Sequence, residues 1–329
     1  MPTFLKRPAL AVVALSLISA FAAGKSARAD DFPSHPIHLI VPYAAGGSAD
    51  ATARVLARQI GKRTGQTIVV ENRGGSAAIV GTEVVNKADP DGYTLLLGQS
   101  GPISINPAIY KDLPYDPVKD FAPISLTSMY PYIMVVNRSL GVKTVQEFVA
   151  LAKSKPGALN YGTTGVGAAN HLITELFNLK AGIKMTHIPY RGTSLAVADL
   201  VAGQVQVVFS DPISALQLVK SGVLVALAVS SKDRSPVAPE LPTISESGYP
   251  GFDGVGWHGI LAPAKTSPAI IAKLNAEIVQ ALQDPETKSL LESQAIQLVG
   301  TSPQEFASYI KQDIALWKDV AQQAKIEVK

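Results

Sequence analysis

The sequence predicts an α/β protein of two lobes joined by two crossings, with the first lobe built from both ends of the chain. Three observations carry this. Apolar, β-branched runs alternate with helical segments along most of the 329 residues. Near 124–137, and again at 248–266, the alternation gives way to long extended text suited to crossing between lobes. Two helices then close the chain with no strand left to pair them, so they are expected to pack back on the first lobe. The expected boundaries are 30–127 with 253–329 for the first lobe and 128–252 for the second. Strands linked through crossover helices imply parallel pairing.

The elements follow in order. IHLIVPY (37–43) reads as a strand, 49–64 as a helix stopped by Gly65, and TIVVEN (67–72) as a strand. Residues 74–88 read as a glycine-started helix, Asp89-Pro90-Asp91-Gly92 as a turn and YTLLLG (93–98) as a third strand. In the second lobe helices are expected at 144–154, 167–182, 194–204 and 213–221. Strands are expected at 159–163, 185–190, 205–210 and 223–230. Asp211-Pro212 supplies an N-cap and a first-turn proline. The closing helices span 268–283 and roughly 303–325.

Lys6 and Arg7, an apolar stretch from Ala9 to Ala23 and the small-x-small Ala27-Arg28-Ala29 read as a cleavable secretory leader over 1–29. The apolar stretch is shorter than the roughly 20 residues of a membrane span. Removing Lys6, Arg7, Lys25 and Arg28 takes the formal charge from +3 to −1. With no basic tract either, nucleic acid is not an expected partner. The absence of cysteine excludes disulfides, thiolate metal sites and a cysteine nucleophile.

Two places carry the candidate chemistry. LIVPYAAGGSADATARVL (39–56) and LNYGTTGVGAANHL (159–172) each read strand, glycine-rich loop, helix. Ligands of open α/β sheets sit at the carboxyl ends of strands. Helix N-termini offer free amides and about half a positive charge, an anion site that needs no charged side chain. Neither loop has G-x-x-x-x-G-K-[ST] or G-x-G-x-x-G, which argues against a nucleotide. GQSGP (98–102) lacks the spacing of a nucleophile elbow, and there is no H-E-x-x-H, which argues against a hydrolase. No catalytic residue, metal site or cofactor is expected. Asp50 reads as a cap or loop tie. The candidate ligand-binding residues are Tyr43, Ala44, Ala45, Gly46, Gly47 and Ser48 on the first loop and Ser100 after the third strand. Thr163, Thr164, Gly165, Gly167, Asn170 and His171 follow on the second loop. Arg191 is a candidate clamp for a distal carboxylate, and Asp211 a cap bordering the site. Trp257 is a candidate lid on the return crossing, with His258 beside it.

Taken together, PYAAGGSAD (42–50), VENRGGSA (70–77), NKADPDGYTLL (86–96), INPAIY (105–110), YGTTGVGAANHL (161–172), PYRG (189–192) and LAPAKTSP (261–268) resemble, in order, the Bug family. These are extracytoplasmic solute receptors, the substrate-binding component of tripartite tricarboxylate transporters. The resemblance implies a type II periplasmic binding protein fold that closes like a clamshell, and a periplasmic monomer with no enzymatic activity. It also implies a small mono- or dicarboxylate ligand, aliphatic or aromatic, and integral membrane subunits as partners. Tyr43 to Ser48 and Thr163 to Asn170 would be the carboxylate loops. Gln99-Ser100-Gly101 departs from the Ser-Asn-Gly of many relatives. A receptor presenting the same ligand to a membrane histidine kinase is the alternative that the sequence leaves open.

Overall fold

Two sheets organise the chain. The first has six strands in the order β11-β4-β10-β3-β1-β2, and the second has five in the order β7-β6-β8-β5-β9. The first contains β1 (Ile37–Val41), β2 (Ile68–Asn72), β3 (Thr94–Gln99), β4 (Phe121–Pro131), β10 (Val255–Pro263) and β11 (Gln297–Leu298). The second contains β5 (Ile133–Asn137), β6 (Asn160–Thr163), β7 (Thr186–Pro189), β8 (Val207–Ser210) and β9 (Leu224–Val229). This computed structural model describes residues 32–323 and residue 326, and those from Pro33 onward form one compact unit. The expected leader and the last residues of the closing helix lie outside the described residues.

Strands linked through crossover helices pair in parallel, as expected, and the strands of the crossing segments do not. β1 pairs with β2 and β3 in parallel, and β6 with β7 and β8. The strands of the crossing segments pair antiparallel instead: β10 with β3 and β4, and β5 with β8 and β9. A strand that enters a sheet from the other half of the chain has no crossover helix to reverse it, so nothing enforces the parallel direction. The chain leaves the first sheet at Pro131, joins the second at Ile133, and returns through Val255.

The helices behave locally as their sequences dictate. α1 (Ser48–Thr64) ends at Gly65, whose φ of 70° makes a left-handed cap that hydrogen-bonds Gly61 O. α4 (Val145–Ser154), α7 (Pro212–Lys220) and α8 (Pro268–Gln283) are capped by Thr144, Asp211 and Ser267, each accepting a hydrogen bond from an amide of the first turn. α5 (Ala169–Ala181), α6 (Thr193–Val201) and α10 (Pro303–Gln323) complete the expected set. The helix expected over 74–88 is shorter. α2 runs Ile79–Asn86, because Ala77 and Ala78 stand at φ 52° and 70° and break the helical path before it. Short α3 (Asn106–Ile109), α9 (Pro285–Glu292) and two-residue β11 were not expected from the sequence. α8 and α10 pack on β4. No helix among the described residues is long and apolar enough to cross a membrane.

Candidate ligand-binding site

The carboxyl end of β1 and the N-terminus of α1 face the β6–α5 loop and the β8–α7 junction across a narrow polar cleft. Its walls are Tyr43, Ala44, Gly47, Ser48 and Ala49 from the β1–α1 turn, Gln99 at the end of β3, and Tyr130 and Tyr132 where β4 gives way to β5. Thr164, Asn170, Thr193 and Asp211 come from the second-sheet side. No lysine, arginine or histidine is among these residues, and Asp211 is the one charged group. Any anion here must be met by amides, amide side chains and hydroxyls.

Each wall supplies such donors. In α1 the first intrahelical bond is Ala51 N–H to Gly47 O, so the amides of Ser48, Ala49 and Asp50 have no partner inside the helix, and that of Ser48 is taken by Asp211. Asp50 is the loop tie the sequence suggests. One carboxylate oxygen accepts Gly46 N–H at 3.1 Å, and Arg54 pairs with the other at 2.9 Å. That arginine holds the carboxyl below its ordinary range despite partial burial.

Opposite, Asn170 is 1 % exposed. Its Oδ1 accepts Thr164 N–H and Thr164 Oγ1–H, both at 3.2 Å. Two donors on one atom fix the side-chain amide: the flipped form would set NH2 against N–H. The Nδ2 group, buried at the cleft wall, donates to nothing. An orphan donor of this kind costs about 1–3 kcal/mol, recovered when an acceptor arrives. Gly165 turns the loop at φ 128°, a conformation that side chains rarely adopt, and a Cβ there would lie 3.5 Å from Ala77 of the first-sheet side.

Asp211 joins the two sides. It caps α7 through Ser214 N–H at 3.1 Å and accepts Ser214 Oγ–H, while Thr193 and the Ser48 amide also donate to it. Burial raises its pKa and these donors oppose the rise. Tyr43, Tyr130 and Tyr132 are buried phenols with raised pKa values, desolvation being the main cause. All three are hydroxyl donors at neutral pH.

Of the candidates read from the sequence, the cleft gathers Tyr43, Ala44, Gly47, Ser48, Thr164, Asn170 and Asp211. Ala45 and Gly46 lie on the turn outside its walls, and Ser100 is buried while its neighbour Gln99 lines the site. Thr163 accepts Gly165 N–H and contacts His187 at 2.6 Å, which braces the loop from behind. Gly167 N–H donates to His171 Nδ1 at 3.2 Å, and His171 stacks on His187 at 4.2 Å, so both also support the loop rather than face the cleft. Gly165 and Arg191 line a neighbouring space.

Trp257 is not a lid. It is wholly buried in the first-sheet core, edge-on to Phe306 and Tyr309, and donates its indole N–H to Asp313 at 2.7 Å. It sits on β10 next to His258, and consecutive strand residues face opposite sides. The pleat that aims His258 at the site therefore aims Trp257 at the core. His258 lies one layer behind the wall. Its Nδ1 meets Ser128 Oγ at 2.9 Å, its Nε2 meets Ser48 Oγ at 3.4 Å, and its ring stacks on Tyr130 at 4.7 Å.

Sequence reasoning missed Ala49, Gln99, Tyr130, Tyr132 and Thr193. The signal was present in MYPY (129–132): two tyrosines around a proline, at the point where an extended crossing must change sheets.

Burial lowers His171 to about 3, with His187 adding to the effect, and also lowers His187 to about 4 and His258 to about 3. Unfolded, each returns to about 6.5. The unfolded chain therefore binds more protons below pH 6.5. Stability is fully present above that pH and is lost as the pH falls toward 3–4, by about 1.4 kcal/mol per unit for each histidine. Asp211 and Asp313, both raised chiefly by burial, oppose part of this loss. The unfolding midpoint is expected to fall steeply between pH 6 and 4, with net proton uptake on unfolding. A flat midpoint over that range would contradict neutral buried histidines.

Comparison with known proteins agrees with this geometry. Residues 52–326 match the family described as tripartite tricarboxylate transporter family receptor. The periplasmic binding protein BugD is 33% identical, with a TM-score of 0.87 over 91% of this chain and 100% of its own. Rpa4515 of R. palustris, solved with adipate, is 32% identical, with a TM-score of 0.87 over 90% of this chain and 99% of its own. MatC (Rpa3494) from Rhodopseudomonas palustris, solved with bound malate, is 31% identical, with a TM-score of 0.85 over 88% and 99%. The two-sheet α/β architecture is thus that of periplasmic binding proteins, and the chain belongs to the tripartite tricarboxylate transporter receptor family, a family of solute receptors and not of enzymes.

Proposed function

We propose that this chain is a periplasmic receptor that captures a small carboxylate in the cleft between its two sheets and presents it to the membrane subunits of a tripartite transporter. The observation that carries the reading is the unpartnered Asn170 Nδ2, buried in the wall of a cleft that holds no cationic side chain and faces the N-terminus of α1. A carboxylate supplies the acceptor that Asn170 lacks and the negative charge that the helix end favours. The tyrosine hydroxyls and Gln99 add neutral donors. In this reading the two lobes are 30–127 with 253–329 and 128–252. Each carries one wall, and a bound carboxylate draws them together, so the ligand shifts the population toward the closed form. The relatives solved with adipate and malate support a carboxylate as the ligand class.

Thermal unfolding against C3–C6 mono- and dicarboxylates, citrate, benzene carboxylates, sugars and nucleotides tests the reading. A ligand at 100 times its Kd stabilises by about 2.7 kcal/mol, which raises the midpoint by several degrees. A shift with one carboxylate class is the expected result. Shifts only with sugars or nucleotides would sink it.

A further inference from the structure

The crossings between the sheets border a second space, roomier than the cleft. The end of β4 and the start of β10 form its floor. One wall is the 231–237 loop, which follows β9 of the second sheet. The other is made within 292–297, which leads from α9 into β11 of the first. Tyr130 borders both this space and the cleft, so its ring is the partition between them. Gly256 lets the ring lie there, since a Cβ at 256 would come within 2.3 Å of it, and His258 stacks on it at 4.7 Å.

Three features mark the space as built to hold something. Ser235 lines it and is 4 % exposed, yet its hydroxyl has no hydrogen-bond partner among the described residues. A ligand that brings a donor or acceptor removes the cost of that orphan group. Ala295 on the facing wall stands at φ 60°, a strained conformation for a residue with a side chain, and such strain collects where ligands are held. The loop that carries Ser235 is tied in place. Asp253 Oδ1 accepts Lys232 N–H at 3.0 Å, Arg234 pairs with Glu246 at 2.8 Å, and Ser235 O accepts Ala238 N–H at 3.2 Å.

The lining selects the occupant. Its buried part is Tyr130, Ala295 and Ile296 around the single hydroxyl of Ser235. The charged residues are all exposed at the mouth, Lys232 and Arg234 against Asp233, Asp253 and Glu292. A charged ligand gains little from so balanced a rim and loses its hydration inside. We propose that this space is a second small-molecule site, which takes a neutral, ring-sized apolar compound whose one hydroxyl pairs with Ser235, and whose presence holds the cleft closed. The second half of the proposal rests on the clamshell reading. The crossings lie between the cleft and this space, so a rotation that closes one opens the other. Ala295 shares an apolar cluster with Val237 of the opposite wall, so the walls already meet at one edge. An occupant that keeps them apart resists opening of the cleft and shifts the population toward the closed form.

Fluorine NMR titration of 4-fluorophenol, beside fluorobenzene, tests the site in the wild type, Ser235→Ala and Ser235→Phe. The wild type is expected to bind 4-fluorophenol about fivefold more tightly than fluorobenzene. The ratio should fall to near one in Ser235→Ala, whose unfolding midpoint reports that the fold is kept, and Ser235→Phe should fill the space and bind neither. A ratio unchanged in Ser235→Ala, or no binding of 4-fluorophenol to the wild type, would overturn the site. Small-angle scattering without any carboxylate tests the coupling: 4-fluorophenol should lower the radius of gyration of the wild type and leave that of Ser235→Phe unchanged. A radius that stays constant or grows in the wild type would overturn the coupling. Failure of every carboxylate to shift the unfolding midpoint would count against the receptor reading and not against binding at Ser235.

Discussion

Asn170→Asp is expected to abolish carboxylate binding, by at least 100-fold in Kd, while leaving the β6–α5 loop folded. The substitution is nearly isosteric. An Asp at 170 can still accept Thr164 N–H and Oγ1–H, as Asn170 Oδ1 does, so the loop keeps its internal ties. What changes is the atom facing the cleft. The orphan Nδ2 donor becomes a carboxylate oxygen, placed in a cavity that already holds Asp211 and no cation. A charge-assisted hydrogen bond worth about 1.5–3 kcal/mol is lost and like-charge repulsion is added. Asn170→Ala removes the bond without the repulsion and is expected to lose roughly tenfold or more. Titration of both variants with the wild-type ligand, beside their unfolding midpoints, is the check. Equal affinities for Asn170→Asp and the wild type would remove Asn170 from the site.

The second large effect falls on stability. Trp257→Ala is expected to cost about 3–5 kcal/mol, the range for emptying a buried aromatic site, and to lower the midpoint by about 10 °C. The indole fills the first-sheet core against Phe306 and Tyr309, and its N–H is a partner of buried Asp313. Trp257→Phe keeps most of the volume and isolates the lost hydrogen bond, at about 1–3 kcal/mol. A lid residue would behave the other way, with ligand release altered and stability nearly unchanged. Unfolding curves of the two variants separate these outcomes, and a midpoint shift below 2 °C for Trp257→Ala would reject the core assignment.

The chain's local order determined most of the element list. Periodicity and punctuation are local properties, so strands such as IHLIV, the Gly65 stop, and the caps Thr144, Asp211 and Ser267 stand where composition puts them. Both glycine loops were legible as strand–loop–helix junctions, and with them Tyr43, Ser48, Thr164 and Asn170. Three kinds of fact were decided only by tertiary structure. Strand direction in the crossings depends on which half of the chain a strand joins, so β10 and β5 run antiparallel although the text around them alternates like a parallel sheet. The sense of the pleat depends on register, so Trp257 went to the core and His258 behind the wall. Partnership depends on what arrives from far away in sequence. Ser48 and Asp211 are both plain helix-start residues until the two sheets bring the amide of one to the carboxylate of the other. Tyr130 and Tyr132 become cleft walls only because the chain changes sheets between them.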